Sequence, residues 1–257
     1  MSDASLKVTT YNIHKGFSHF NRRMMVHELR DQLRGLGADI VFLQEVQGAH
    51  DHHAATIREW PVEPQYEFLA DSVWQEFAYG RNAVYDHGHH GNAILSRYPI
   101  LNSENEDVSS HAFERRGLLH CEIDWPGALG PASSAKPLHC LCVHLGLGER
   151  GRGLQVGALI DRVRREVPDD ARLVVAGDFN DWRNRASKRF LEELGLTEAF
   201  RDHRGKSARS FPSRFPMLRL DRIYVRGFAV EHTAGHHGLP WSRISDHAAL
   251  SAHLAMR

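Results

Sequence analysis

Apolar residues run through this chain in short blocks, and several blocks end in a small cluster of polar residues. Residues 6–13 read as a strand with Asn12 near its end. Residues 21–36 carry apolar side chains at helical spacing through Met25, Leu29, Leu33 and Leu36. Gly35 and Gly37 stop that helix. Residues 39–43 form a short apolar strand that runs into Gln44 and Glu45, and 47–60 read as helix or ordered loop. Strands follow at 67–70, 82–85, 92–96, 118–123 and 138–144, divided by Pro and Gly. The stretch 125–137 is rich in Pro, Gly, Ala and Ser and reads as exposed loop. Residues 153–167 are helical, with Pro168 closing them, and 172–176 are a buried strand opening into Gly177-Asp178-Phe179-Asn180. A helix at 187–194 and strands at 220–225 and 247–254 complete the pattern.

Helices between strands, mixed with direct strand-to-strand connections, predict an α/β (α+β) fold of mixed sheets with helices outside. No linker divides the chain, so residues 1–257 are expected to form one domain.

Composition sharpens this only in places. Lys+Arg and Asp+Glu balance at 32 each. A general nucleic-acid binder more often carries a basic surplus, although a neutral chain can still hold a local basic groove. The chain has no apolar leader and no long apolar run, which points to a cytoplasmic protein without a transmembrane segment. The three cysteines, Cys121, Cys140 and Cys142, are expected to be reduced. Cys140, Cys142 and His144 alternate and so share a strand face. A soft metal could sit there, but small buried thiols are the commoner use of such residues. Many of the 19 histidines, among them His50, His52, His53, His87, His89, His90, His236 and His237, are expected in solvated loops with adventitious metal binding.

The polar clusters carry the chemistry. Asp178 and Asn180 stand two apart at a strand mouth, so a continued strand would point both to one side. A carboxylate beside an amide can orient water and donate to a phosphoryl oxygen, although Asp and Asn also start turns. Asn12 with His14, Glu45, His144, and Asp246 with His247 sit at other apparent strand ends, while Asp221 lies inside 220–225. Each alone reads as a turn, a cap, a core histidine or a surface pair. Together they suggest the strand-end edge where α/β folds gather catalytic groups.

In order along the chain, Thr10-Tyr11-Asn12-Ile13-His14, Leu43-Gln44-Glu45, Gly91-Asn92-Ala93-Ile94-Leu95-Ser96-Arg97 and Val143-His144-Leu145 make one recurring set. Gly177-Asp178-Phe179-Asn180, Leu220-Asp221-Arg222-Ile223 and Ser245-Asp246-His247 continue it. The set resembles the endonuclease/exonuclease/phosphatase superfamily over nearly the full length. His14-Lys15-Gly16-Phe17, residues 77–85 and residues 218–225 are similar to its bacterial YbhP-type branch.

The resemblance implies a four-layer αββα sandwich of two packed mixed β-sheets flanked by helices. It implies a metal-dependent phosphodiesterase using Mg²⁺, or Mn²⁺, with Glu45 as principal ligand and Asn12 and Asp246 beside it. Asp178 would orient or deprotonate water, and Asn180 would donate to a nonbridging oxygen. His247, paired with Asp221, and His144 would face the phosphate, with Asn12 next to both metal and phosphate. Arg152 and Gln155 match an Arg-x-x-Gln and would support the site. Apurinic endonucleases carry an acid where His14 stands, which weakens transfer of abasic-site repair.

Substrate is the open question. Arg201, Arg204, Lys206, Arg209, Arg214, Arg219, Arg222 and Arg226 could track a nucleic-acid backbone or simply face solvent. Trp74, Phe77, Tyr79, Trp182, Phe211, Phe215 and Trp241 could form an aromatic rim for peripheral membrane contact, or belong to the core. The branch also resembles a hydrolase-like domain linked to lipid remodelling of GPI anchors. A lipid headgroup or small phosphodiester is therefore favoured, a DNA or RNA nuclease is the alternative, and a catalytically idle scaffold is the third reading. Intact Glu45, Asp178, Asn180 and His247 speak against the third.

Overall fold

The computed structural model describes residues 5–257 apart from 22, 72, 112–113 and 127–135. Twelve strands occur among them: β1 Ser5–Asn12, β2 Ile40–His50, β3 Glu76–Tyr85, β4 Gly88–Ser96, β5 Ile100–Asp107, β6 Gly117–Ile123, β7 Leu138–His144, β8 Leu173–Asp178, β9 Thr197–Glu198, β10 Asp221–Arg226, β11 Phe228–His236 and β12 Ala249–Met256. The helices are α1 Val26–Leu36, α2 Asp51–Thr56, α3 Gln65–Ala70, α4 Glu149–Glu166, α5 Ala186–Leu194, α6 Ala199–Arg204 and α7 Trp241–Ile244.

The strands form two six-stranded sheets, in the orders β11-β12-β1-β2-β4-β3 and β5-β6-β7-β8-β10-β9. Each sheet has one parallel pair near its centre, β1 with β2 and β7 with β8. Helix α1 connects the first pair and α4 the second. All other strand pairs described are antiparallel.

Strand alternation explains the layering. On β1, Leu6 and Val8 face the second sheet, while Tyr11, and Ile13 just past the strand, face α1 and α7. On β7, Cys140 and Cys142 face inward, while Leu141 and Val143 pack against α4. Three apolar layers result: one between the sheets and one under each set of helices. The architecture is a four-layer αββα sandwich. All three thiols lie buried in or beside the central layer, and burial pushes each of them up.

Several local expectations change. Residues 67–70, expected as a strand, belong to α3; four residues are too few to separate the two periodicities. Strand β2 runs on to His50, and only 51–56 of the expected 47–60 segment are helical. Helix α1 begins at Val26 and ends as expected, with Gly37 left-handed at φ 61°. Helix α4 starts four residues before the expected 153. Strand β5, Ile-Leu-Asn-Ser-Glu-Asn-Glu-Asp, escaped sequence reading because it is an edge strand with mostly exposed polar residues. Most of the expected loop 125–137 lies outside the described residues, and Trp125 is buried in the central layer.

Candidate active site

Strands β1 and β2 run parallel, as do β7 and β8, so each pair brings two carboxyl ends together. Asn12 ends β1 opposite Gln44 of β2. His144 ends β7 opposite Asp178 of β8. Asp221 begins β10, which is antiparallel to β8, and pairs directly with Asp178. A side chain at Gly177 would meet the Val143 carbonyl at 1.9 Å, so glycine keeps β7 and β8 close as far as His144 and Asp178.

Glu45 reaches this edge by a different route. Phe42 faces the central layer, and Leu43 and Val46 face α1. Simple alternation would therefore send Glu45 toward the helices with Leu43. The register shifts between Leu43 and Val46, and Glu45 adopts φ 56°. This bulge turns its carboxylate into the cavity. His14, Lys15 and Asn180 also have positive φ, at 47°, 58° and 49°. Such backbone is costly for non-glycine residues and collects at functional sites.

The resulting cavity, about 400 Å³, is walled by Asn12, Lys15, Glu45, His90, Arg116, His144, Asp178, Asn180 and His247, with Leu147, Trp182, Phe211, Leu218 and Leu220 completing the lining. The Asn12 amide nitrogen bridges Glu45 Oε1 at 3.3 Å and Asp178 Oδ2 at 3.2 Å. Its oxygen accepts from the His14 amide at 3.1 Å. Asp178 Oδ2 lies 3.6 Å from His144 Nε2 and 3.8 Å from His247 Nε2. Asp178 Oδ1 accepts the Asn180 amide at 3.0 Å, and Asn180 Nδ2 donates to the Leu145 carbonyl at 2.9 Å. The turn reading and the site reading of Asp178-Phe179-Asn180 therefore hold together.

Asp221 stands behind His247, with Oδ2 2.9 Å from Nδ1. Asp246 does not line the cavity; its Oδ2 lies 4.0 Å from His14 Nε2. Ser245 fixes this corner by donating to the Asn12 carbonyl at 2.7 Å and accepting the His247 amide at 3.2 Å.

The charge states are set by neighbours. Burial opposes ionisation of Glu45, yet His144, Lys15, His14 and His247 hold its carboxyl at about 2. Burial and Arg116 push the His144 imidazole down to about 3. Burial works against charge on His247 as well, but Asp221 and Asp178 lift it to about 10. Burial and Asp221 raise Asp178 above the usual carboxylate range. One buried carboxyl with raised affinity for a proton thus lies between a neutral and a cationic imidazole.

Lys15, His90 and Arg116 were not singled out as site residues in the sequence. His90, expected in a solvated loop, lies on β4 and faces the cavity. Burial lowers its imidazole to about 4. The only available signal was that Lys15 follows His14 in a recurring motif and Arg116 precedes the β6 glycine. Arg152 and Gln155 are buried on α4 and hold the loop after β7: Arg152 donates to the Gly146 and Leu147 carbonyls at 3.0 and 2.8 Å, and Gln155 accepts from Gly146 at 2.7 Å.

The aromatic rim contracts. Trp74 and Trp241 are buried under the helices of the first sheet, and Tyr79 stacks on Tyr66. Trp182 and Phe211 remain at the cavity, and Phe215 is exposed. The basic run does not make one groove. Arg222 is buried, and Arg226 donates to the Ala171, Leu194 and Pro168 carbonyls.

Comparison with known proteins agrees with this fold. Residues 9–247 match the model of the Endonuclease/Exonuclease/phosphatase family. The chain is 50% identical to the uncharacterized protein YbhP of Escherichia coli (strain K12) over 250 residues, 97% of this chain and 96% of that one. An endonuclease/exonuclease/phosphatase from Beutenbergia cavernae superposes with a TM-score of 0.75 at 19% identity, over 98% of this chain and 72% of that one. D. rerio TDP2 complexed with a single-strand DNA product gives 0.71 at 20% identity, over 99% and 100%. Family match, relative and fold converge, and the chain belongs to the Endonuclease/Exonuclease/phosphatase family.

Proposed function

We propose that this protein is a divalent-metal-dependent phosphodiesterase acting as one catalytic unit, with a lipid headgroup or small phosphodiester as substrate. The observation that carries this reading is Asp178 held between His144 and His247 in the cavity that contains Glu45.

The donor set fits a hard cation. Glu45 is fully ionised at neutral pH, and oxygen donors suit Mg²⁺, with Mn²⁺ as a substitute. Glu45 would hold the ion with Asn12 beside it; Asp246, outside the cavity wall, is the weakest member of the set. Asp178, Asp221 and His247 are also spaced closely enough to ligate. However, His247 donates to Asp221, and a cationic imidazole has no lone pair to give a metal. A bound divalent ion neutralises phosphate charge and polarises a phosphoryl oxygen.

The remaining work falls to the chain. Asp178, with raised proton affinity, accepts a proton from the water that attacks in line with the leaving oxygen. Asn180 and neutral His144 hydrogen-bond nonbridging oxygens, while cationic His247, oriented by Asp221, meets charge as it develops. Lys15 and Arg116 add positive charge at the wall.

The cavity mouth favours a small or lipid-borne diester. Leu147, Trp182 and Leu218 line it and are 61%, 44% and 41% exposed. An apolar collar suits a headgroup presented at an interface. Purified protein with Mg²⁺ or Mn²⁺ should hydrolyse bis-p-nitrophenyl phosphate or phosphatidylglycerol vesicles, and Glu45→Ala should not. Preference for plasmid DNA or RNA with steep salt dependence would replace the lipid reading by a nuclease. Absence of turnover on every diester tested, with either metal, would remove the phosphodiesterase reading.

A further inference from the structure

Across the segment 207–220 from the catalytic cavity lies a second and larger one, about 560 Å³. Arg204, Lys206, Arg209 and Arg219 converge on it over an apolar floor that includes Phe200 and Pro216, and no Asp or Glu among the described residues lines it. Cations elsewhere on this neutral chain are commonly paired. Around α4 and α5, Arg162, Arg164, Arg165, Arg183, Arg185 and Arg189 all meet carboxylates. Among the described residues, none of the four cavity cations makes an ion pair.

Two of the four are held in place by uncharged groups. Arg204 Nε donates to Thr233 Oγ1 at 3.0 Å, and the same guanidinium reaches the Thr233 carbonyl. Arg219 Nε donates to the Ser207 carbonyl at 3.1 Å, which leaves its terminal N–H groups open. Converging like charges repel, and a bound anion relieves that repulsion. Pre-positioned guanidinium forks match phosphoryl oxygens. A pocket in the range of roughly 300–1,000 Å³ suits a compact molecule rather than a polymer track.

We propose that this cavity is a second phosphate-binding site, which takes a compact phosphorylated molecule bearing at least two phosphoryl charges, free or as a lipid headgroup. The apolar floor accommodates the carbon skeleton. The two cavities share one wall: Arg209 and Arg219 face the new site, while Phe211, Leu218 and Leu220 face the catalytic one. Ser210 ties that wall to the catalytic acid pair, its hydroxyl accepting the Asp221 amide at 3.2 Å.

The test is calorimetric titration of the full, metal-free chain with tripolyphosphate at fixed ionic strength. Lys206→Ala/Arg209→Ala should lose at least about tenfold in affinity, since a charge-assisted hydrogen bond contributes on that order. Its melting temperature and its rate on bis-p-nitrophenyl phosphate should stay at the wild-type values. His144→Ala, in the catalytic cavity, should keep the tripolyphosphate affinity. Added binding to phosphoinositide vesicles, lost in the same double variant, would support the site and identify a headgroup as its source; tripolyphosphate binding without vesicle binding would support it with a free ligand. Equal affinity in the double variant and wild type overturns the proposal. So does binding of a DNA oligomer with none of tripolyphosphate. Binding needs no turnover, so this site is tested apart from the phosphodiesterase reading.

Discussion

At the cavity edge, His247 is buried between Asp221 at 2.9 Å and Asp178 at 3.8 Å. Under α4, His120 is buried equally well, but against His139 at 3.0 Å and Arg162 at 3.4 Å. The first imidazole is lifted to about 10 by its acids, against the effect of burial. The second is pushed to about 4 by burial, by His139 and by Arg162. Burial alone therefore says little about a histidine's charge. The partner that reaches the ring decides it: His247 meets its acids directly, whereas Glu104, opposite His120 on β5, is taken up by Arg162.

The comparison can be broken most forcefully at Asp178. Asp178→Ala removes the carboxylate shared by His144 and His247, and hydrolysis of a responsive diester should fall by about 10³-fold or more with circular dichroism unchanged. Retained turnover would end the assigned role of Asp178. Asp221→Asn comes next. It leaves a buried cation with one acid fewer, so it should cost about 3 kcal/mol in urea unfolding at neutral pH, with a fall in kcat.

The same variant gives a pH signature. Because the folded pKa of His247 is raised, its stabilising contribution is complete below about 6.5 and disappears as pH rises through about 10. Asp221→Asn should flatten that alkaline loss. His120 has the opposite sign: its folded pKa is lowered, so its contribution is present above about 6.5 and is lost as pH falls toward about 4. Unfolding of His120→Gln between pH 7 and 4 should show an acid loss smaller by about 2 kcal/mol. Equal acid limbs in the variant and wild type would refute the reading of His120 as a buried neutral imidazole. The smallest effect belongs to Trp182→Ala. It removes the ring over which Arg152 sits at 4.8 Å, and should raise KM about threefold while kcat holds.

Much of this edge was legible because polar residues at the ends of apolar strands stand out. Asn12, Glu45, His144, Asp178, Asn180 and His247, each visible that way, line one cavity. Asp221 was legible as a residue, but its pairing with Asp178 across β10 and β8 is a fact of register that no spacing contains. Arg116 and His90 were hard to place because they come from different sheets, His90 on β4 and Arg116 just before β6, that meet at this edge. The two large tryptophans of the first sheet's helical side looked like rim residues because aromatic side chains serve cores and surfaces alike. Polar β5 and short α3 carried too little periodicity to be classed.

The bulge at Glu45 has a genetic consequence. Its aim is set by how many residues separate Leu43 from Val46, as well as by what they are. Removing one residue there would restore plain alternation and leave the chain a short-by-one strand of ordinary composition. A deletion of Gln44 should thus yield a folded, metal-indifferent protein, although every substitution-sensitive side chain of the cavity is still encoded. Point-substitution scans would not reveal that dependence; a single-codon deletion series through 43–46 would.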